Sequence, residues 1–280
     1  MTILVTGASG HLGRLAIQSL LARGATDVVA GARTPSKVAD LGVPVVELDY
    51  DRPETVSAAL DGVDSVLLVS ASEPGKRVPQ HQAVIDAAKA AGVTHLVYTS
   101  APRATTSELI LAPEHKATEQ LIAASGIPAT ILRNNWYTEN YVGSAQQAKE
   151  SGVLLTSAGD GRVASASRAD YADAAAVVLL DPAAHIGRTY ELSGDIAWTF
   201  ADLAATIAEV VGRDVELASV DSEAHAAALK GVGLDDGTVG FVVALDANIA
   251  AGDLDKTSDD LSRLIGRPTT PLAEGLRAAL

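Results

Sequence analysis

Residues 3–13 read Ile3-Leu-Val-Thr-Gly7-Ala-Ser-Gly10-His-Leu-Gly13. A short apolar run enters a turn with glycines at i, i+3 and i+6, and a stretch with helical spacing, Leu12–Ala22, leaves it. Glycines at these places permit a tight turn, close backbone approach to a pyrophosphate, and close contact between strand and helix. The helix that starts there points its unpaired N–H groups and the positive end of its dipole at whatever sits on the turn. Three spaced glycines are a weak signal in a chain holding 24 of them. Their place gives them weight: directly after an apolar strand, opening a helix, with a second strand within about 30 residues.

Outward from that turn the same rhythm continues. Ile3–Val5, Val28–Ala30, Val45–Leu48, Ser65–Val69, Leu96–Tyr98 and Thr130–Leu132 are brief, rich in β-branched residues and bounded by Gly, Pro, Asp or Ser, as buried strands are. Leu12–Ala22, Glu54–Leu60, Pro79–Ala91 and Glu114–Ala124 are the helices between them; Pro53 suits a first helical turn, and Gly92 and Gly126 suit helix ends. The fold class expected is α/β, a doubly wound parallel Rossmann-type sheet. After Arg133 the alternation breaks. We expect a helix Ala172–Leu180 capped by Asp170, a strand Thr189–Leu192, a helix capped by Thr199 and running to Val211, a strand Val215–Ser219, and a mostly helical tail. The domain division expected is 1–133, with parts of 151–195, as the cofactor-binding domain, and 134–150 with 196–280 as a smaller, mostly helical C-terminal substrate or lid region.

Composition narrows the function. With 21 basic and 35 acidic residues, the net charge is −14, which disfavours nucleic acid and anionic membrane as partners. The absence of cysteine removes thiol catalysis, disulfides and Cys-type metal sites. The six histidines never stand at i, i+4, so no metal is expected. No Gly-x-Ser-x-Gly elbow is present, which leaves a hydrolase unsupported, and Asp160 between two glycines reads as turn chemistry. No apolar run reaches the ~18 residues of a membrane span, and no basic leader opens the chain, so a cytoplasmic protein is expected.

The end of the second strand distinguishes NADH from NADPH. An NAD-preferring site places an acid there to hold the ribose hydroxyls. This chain has Gly31-Ala-Arg33-Thr-Pro-Ser-Lys37, and Asp27 lies at the wrong end of the strand. Arg33, with its planar donor fork, and Lys37, as a nearby charge, suit a 2′-phosphate, so NADPH is the cofactor expected.

Three longer stretches carry a resemblance. Residues 79–93, Leu132-Arg-Asn-Asn-Trp-Tyr-Thr-Glu-Asn-Tyr141, and Ala158-Gly-Asp-Gly-Arg-Val-Ala-Ser-Ala-Ser-Arg-Ala-Asp-Tyr171 are similar to the NmrA-like atypical short-chain reductases, in particular to bacterial NAD(P)H:quinone oxidoreductases. Triphenylmethane dye reductases show a weaker likeness. The resemblance implies flavin-free hydride transfer from NADPH to a quinone or similar conjugated acceptor. It implies a cofactor site of Gly7, Ser9, Gly10, His11, Leu12, Gly13, Arg33, Lys37, Asp49, Tyr50 and Ser70. Such families also include NADP(H)-binding redox sensors without catalysis, which stands as the alternative function. Whether the chain forms a homo-oligomer is left open.

Ordinary short-chain dehydrogenases carry a Tyr-x-x-x-Lys pair in which the tyrosine protonates the acceptor. Aligned on Glu119, that pair falls on Leu111 and His115, with Lys116 turned ~100° away. A quinone spreads incoming charge over its ring and tolerates a site lacking a strong acid. His115, Ser100 and Tyr137 are the remaining candidates for proton handling or ribose orientation. Asn134, Trp136 and Tyr137 are candidates to line the substrate. His81 reads as structural.

Overall fold

The computed structural model describes residues 1–73 and 75–280. Its first half comprises β1 (Ile3–Val5), α1 (His11–Ala22), β2 (Val28–Ala32), β3 (Val45–Glu47), α2 (Pro53–Ala59), β4 (Ser65–Leu68), α3 (Arg77–Ala91), β5 (His95–Ser100), α4 (Ala112–Ser125) and β6 (Ala129–Asn134). The expected alternation is present throughout. Pro53 sits in the first turn of α2, and Gly92 and Gly126 end α3 and α4 in left-handed conformations that carry little penalty for glycine.

The seven-stranded central sheet is parallel throughout, in the order β3-β2-β1-β4-β5-β6-β9, where β9 is Thr189–Leu192. Order reverses between β1 and β4, and a crevice opens there beyond the strand carboxyl ends. Helices cover both faces, so the strands are apolar on both sides. Ile3, Val5, Val97 and Leu132 pack with α1 and the later helix 168–180; Leu4, Val66, Leu68, Leu96 and Tyr98 pack with α2, α3 and α4. The two-residue period of a strand makes this division.

The rest of the chain supplies α5 (Val142–Ser151), β7 (Val153–Thr156), β8 (Arg162–Val163), α6 (Arg168–Leu180), α7 (Pro182–His185), β9, β10 (Trp198–Thr199), α8 (Phe200–Val211), β11 (Glu216–Ser219), α9 (Ser222–Gly231), α10 (Asp236–Ala250), α11 (Asp260–Ile265) and α12 (Leu272–Ala279). Tyr141, Trp198, Phe200, Leu203, Ile207, Leu245 and Leu276 build a separate core, with Trp198 edge-on to Tyr141 at 5.0 Å. Thr199 and Asp202 form a reciprocal cap on α8.

Two expectations need correction. Helix α6 starts at Arg168, and its cap is Ser167, whose hydroxyl accepts from the Asp170 N–H at 3.1 Å. Asp170 is instead fully buried, with its carboxylate receiving Arg267 Nη1 at 2.7 Å, Thr270 N at 2.8 Å and Thr270 Oγ1 at 3.0 Å. The tail returns across the sheet here, and Leu261 of α11 enters the core beside α6. The second correction concerns α5 and β7, which lie where the sequence pattern suggests no regular element; β7 pairs in parallel with β11.

Candidate cofactor and active site

The turn after β1 is held by backbone: Gly10 N donates to Gly7 O at 2.9 Å and Ala8 N to Gly31 O at 3.0 Å. Gly7 has φ +60°, and a Cβ at Gly13 would lie 2.5 Å from Gly7 O. The turn therefore closes only with glycine at these two positions. Helix α1 begins at His11 with neither a side-chain cap nor an acid in its first turn, which leaves its N-terminal N–H groups free for an anion.

A cavity of about 360 Å³ opens over this turn. Gly7, Ser9, Gly10, His11, Leu12, Gly13, Arg33, Asp49, Tyr50 and Ser70 line it, with Tyr137 and Arg168 contributed from beyond β6. Thr6 joins its walls: its hydroxyl donates to Leu67 O at 3.0 Å and accepts from Val69 N at 3.0 Å and Tyr50 Oη at 2.6 Å. Burial raises the Tyr50 phenol above its ordinary range, so it remains a neutral donor. Lys37 does not reach the cavity. It lies exposed on a short 3-10 helix, Pro35–Leu41, with its carbonyl accepting from Arg14 Nη2 at 2.9 Å. A lysine four residues past Arg33 is carried away by that helical turn.

The wall after β4 is fixed from behind. Ala71 N donates to His81 Nε2 at 2.9 Å, which requires the proton on Nδ1, facing Thr118 Oγ1 at 2.9 Å. Arg77 Nε donates to Ala71 O at 2.9 Å, and Arg77 is itself paired with Glu114. Burial, then the Arg77 charge, lowers the His81 pKa to about 3, so the ring remains neutral. His81 is core, as expected, and also anchors the cavity wall.

The proton-handling candidates separate. Ser100 and Tyr98 project to the α4 side of β5, whereas Thr99 lines the cavity and receives Ser70 N at 2.9 Å. The Ser100 hydroxyl donates to Glu119 at 2.6 Å, within the Glu119–Arg133 ion pair. His115 is buried under α4 against Tyr98 Oη at 2.8 Å, and burial, with help from Arg77, lowers its pKa to about 3. The structure therefore leaves Ser100 and His115 outside the cavity: the first by strand alternation, the second by helix packing.

Tyr137 alone of the three lies in the cavity. Asn134 Nδ2 donates to its hydroxyl at 3.3 Å, and the Arg168 guanidinium sits 4.8 Å from its ring centroid. Burial raises its pKa. Asn134 is buried behind Tyr137, and Trp136 packs into the separate core, so neither lines the cavity. Sequence reasoning missed Arg168. Its signal was the Ser167-Arg-Ala-Asp170 capping pattern, which sets residue 168 at the start of a helix aimed at the crevice.

Comparison with known proteins agrees with this geometry. The NAD(P)H-binding family profile matches residues 7–182. Quinone oxidoreductase 2 of Escherichia coli (strain K12) is 48% identical over 278 residues, spanning 98% of this chain and 97% of the relative. The crystal structure of an Escherichia coli NADPH-dependent quinone oxidoreductase complexed with NADPH superposes with a TM-score of 0.94 at 47% identity, over 99% of each chain. The Citrobacter sp. triphenylmethane reductase complexed with NADP(H) gives 0.93 at 38% identity, over 100% of each chain. With a glycine cradle, an uncapped helix start and a crevice at the strand-order reversal, the chain belongs to the NmrA-like NAD(P)H-binding reductases.

Proposed function

We propose that the protein is an NADPH-dependent oxidoreductase that reduces quinones, or similar conjugated acceptors, without a flavin. The observation that carries the reading is the composition of the cavity: a dinucleotide cradle at one end and, beyond β6, a tyrosine face under an arginine, with no Tyr–Lys acid pair. NADPH, when bound, supplies the hydride. Gly7, Gly10, Gly13 and the first N–H groups of α1 would hold its pyrophosphate, Arg33 its 2′-phosphate, Asp49 and Tyr50 the adenine side, and Ser70 the ribose side.

The chain's own groups then serve the acceptor. Tyr137, with the Arg168 guanidinium over its ring, would give an aromatic acceptor an apolar edge to pack against. Arg168, held by Asn140 Oδ1 at 2.7 Å and by the Glu139 carboxylate at 3.8 Å, would offer N–H donors to an acceptor oxygen that gains negative charge. The Tyr137 phenol, a weaker acid than usual through burial, orients the acceptor more than it protonates it, and the single proton that the hydride-reduced acceptor needs to become the hydroquinone comes from water. Among the described residues no helix is long and apolar enough to cross a membrane. A cytoplasmic enzyme with a small aromatic substrate fits the net charge of −14 and the cysteine-free chain.

The test is anaerobic loss of NADPH absorbance, without added flavin, against benzoquinones, naphthoquinones and triphenylmethane dyes. Quinone turnover is expected. Tight NADPH binding without turnover on any acceptor would refute the enzyme reading in favour of a sensor.

A further inference from the structure

The 2′-phosphate corner holds its own counter-ion. Arg33 Nη1 lies 3.1 Å from Glu73 Oε1, and Lys76 Nζ lies 3.3 Å from Glu73 Oε2. Arg33 follows β2 and Glu73 follows β4, the two neighbours of β1 in the sheet, so the pair spans the crevice. Both residues line the cavity. Their side chains are 65% and 35% exposed, and exposed pairs of this kind add little to folding stability. The backbone just before Glu73 is fixed at Ala71 by His81 and Arg77, so the carboxylate is presented from a held wall.

We propose that Glu73 is a specificity-determining residue acting through Arg33: its carboxylate occupies the guanidinium in place of the 2′-phosphate and narrows the preference for NADPH over NADH. The proposal rests on the reading of Arg33 as the phosphate partner. A 2′-phosphate must take the guanidinium from Glu73 and then lie beside a like charge. A cofactor without that phosphate leaves the pair intact. Lys76 makes the exchange feasible, because the released carboxylate keeps a cation at 3.3 Å.

The test measures kcat/KM and calorimetric Kd for NADPH and NADH at low ionic strength. The proteins compared are wild type, Glu73→Gln, Glu73→Asp, Arg33→Ala and the Glu73→Gln/Arg33→Ala pair. Losing an exposed charge pair predicts that Glu73→Gln tightens NADPH about two- to fivefold, through KM, and leaves NADH unchanged. Glu73→Asp keeps the charge and should keep more of the wild-type ratio. The gain should vanish without Arg33 and shrink at high salt. Equal shifts for both cofactors, weaker NADPH binding, or a gain that persists without Arg33 would overturn the proposal. Should the glutamine variant fail to fold, Glu73→Ala removes the same charge, and the same NADPH-selective gain is expected of it. An unchanged cofactor ratio in Arg33→Ala alone would instead overturn the Arg33 reading.

Discussion

Replacing Gly13 by alanine tests the cradle most directly. The added Cβ would stand 2.5 Å from Gly7 O, 2.9 Å from Gly7 C and 3.1 Å from the Ala8 Cα. Against a normal carbon contact of about 3.5 Å, the first of these is short by about 1 Å. All three neighbours are backbone, and the Gly7 carbonyl is also held by Gly10 N, so no side chain can rotate away to relieve the clash. Overpacking of this kind costs about 1–3 kcal/mol. At roughly 2–4 °C per kcal/mol for a chain near this size, the melting temperature should fall by roughly 2–12 °C. Affinity should suffer more, because pushing the Gly7 carbonyl and Ala8 shifts the turn and with it the N–H groups offered to the pyrophosphate. The loss of even one charge-assisted hydrogen bond, about 1.5–3 kcal/mol, weakens NADPH at least tenfold. Thermal unfolding with and without NADPH, together with a fluorescence titration, reads both effects. Gly143→Ala is the control: nothing lies within 4 Å of its Cβ, and a helical alanine should be neutral or stabilising. A Gly13→Ala protein with wild-type melting and wild-type NADPH affinity would refute the steric account of the turn.

Asp170→Ala should cost about 3 kcal/mol in urea unfolding, since it leaves Arg267 and the Thr270 N–H without their buried acceptor; a loss under 1 kcal/mol would contradict the role of this carboxylate as a tie. Stability should also fall on mild acidification. Burial lowers His81 and His115 to about 3 and His95 to about 4, against 6.5 in the unfolded chain, so below 6.5 the unfolded state binds more protons. The stabilisation is complete above pH 6.5 and is lost progressively as pH falls towards 4 for His95 and towards 3 for His81 and His115, by at most about 1.4 kcal/mol per pH unit per histidine. A urea midpoint that stays constant or rises between pH 7 and 5 would contradict this. Tyr137→Phe should retain quinone turnover within about tenfold; near-total loss would make the Tyr137 phenol the proton donor.

The sheet is legible in the sequence because Ile3–Val5, Ser65–Leu68 and Ala129–Asn134 lie between helical layers and read as short, bounded apolar runs. The cradle is legible because glycine spacing is a backbone requirement. What the sequence hides depends on neighbours distant in the chain. Strand β7 is four residues long and its partner β11 lies some 60 residues later, so no local pattern announces the pair. Helix α5 carries Gly143, Ser144, Gln146 and Gln147 and has only a faint apolar stripe, Ala145 and Ala148. Ser100 misses the cavity by one residue: it does end its strand, but alternation gives the cavity to Thr99. His115 became a candidate by alignment to a family motif, and its Tyr98 partner is visible only once α4 is packed on β5. Asp170 has the composition of a cap, yet its partner is 97 residues away in sequence.

That last separation bears on how the protein comes into being. During synthesis, Asp170 leaves the ribosome long before Arg267, and at about 5–20 residues per second the interval is on the order of 5–20 s. Throughout it, the helix against α1 bears an unneutralised carboxylate and lacks the leucine at 261 that completes its core. The outer face of α6 therefore stays uncovered, with its carboxylate unpaired, until residues 261–270 have emerged. The carboxylate thus ties the order in which the chain emerges to the order in which it can pack, in the same helix whose first residue lines the cavity.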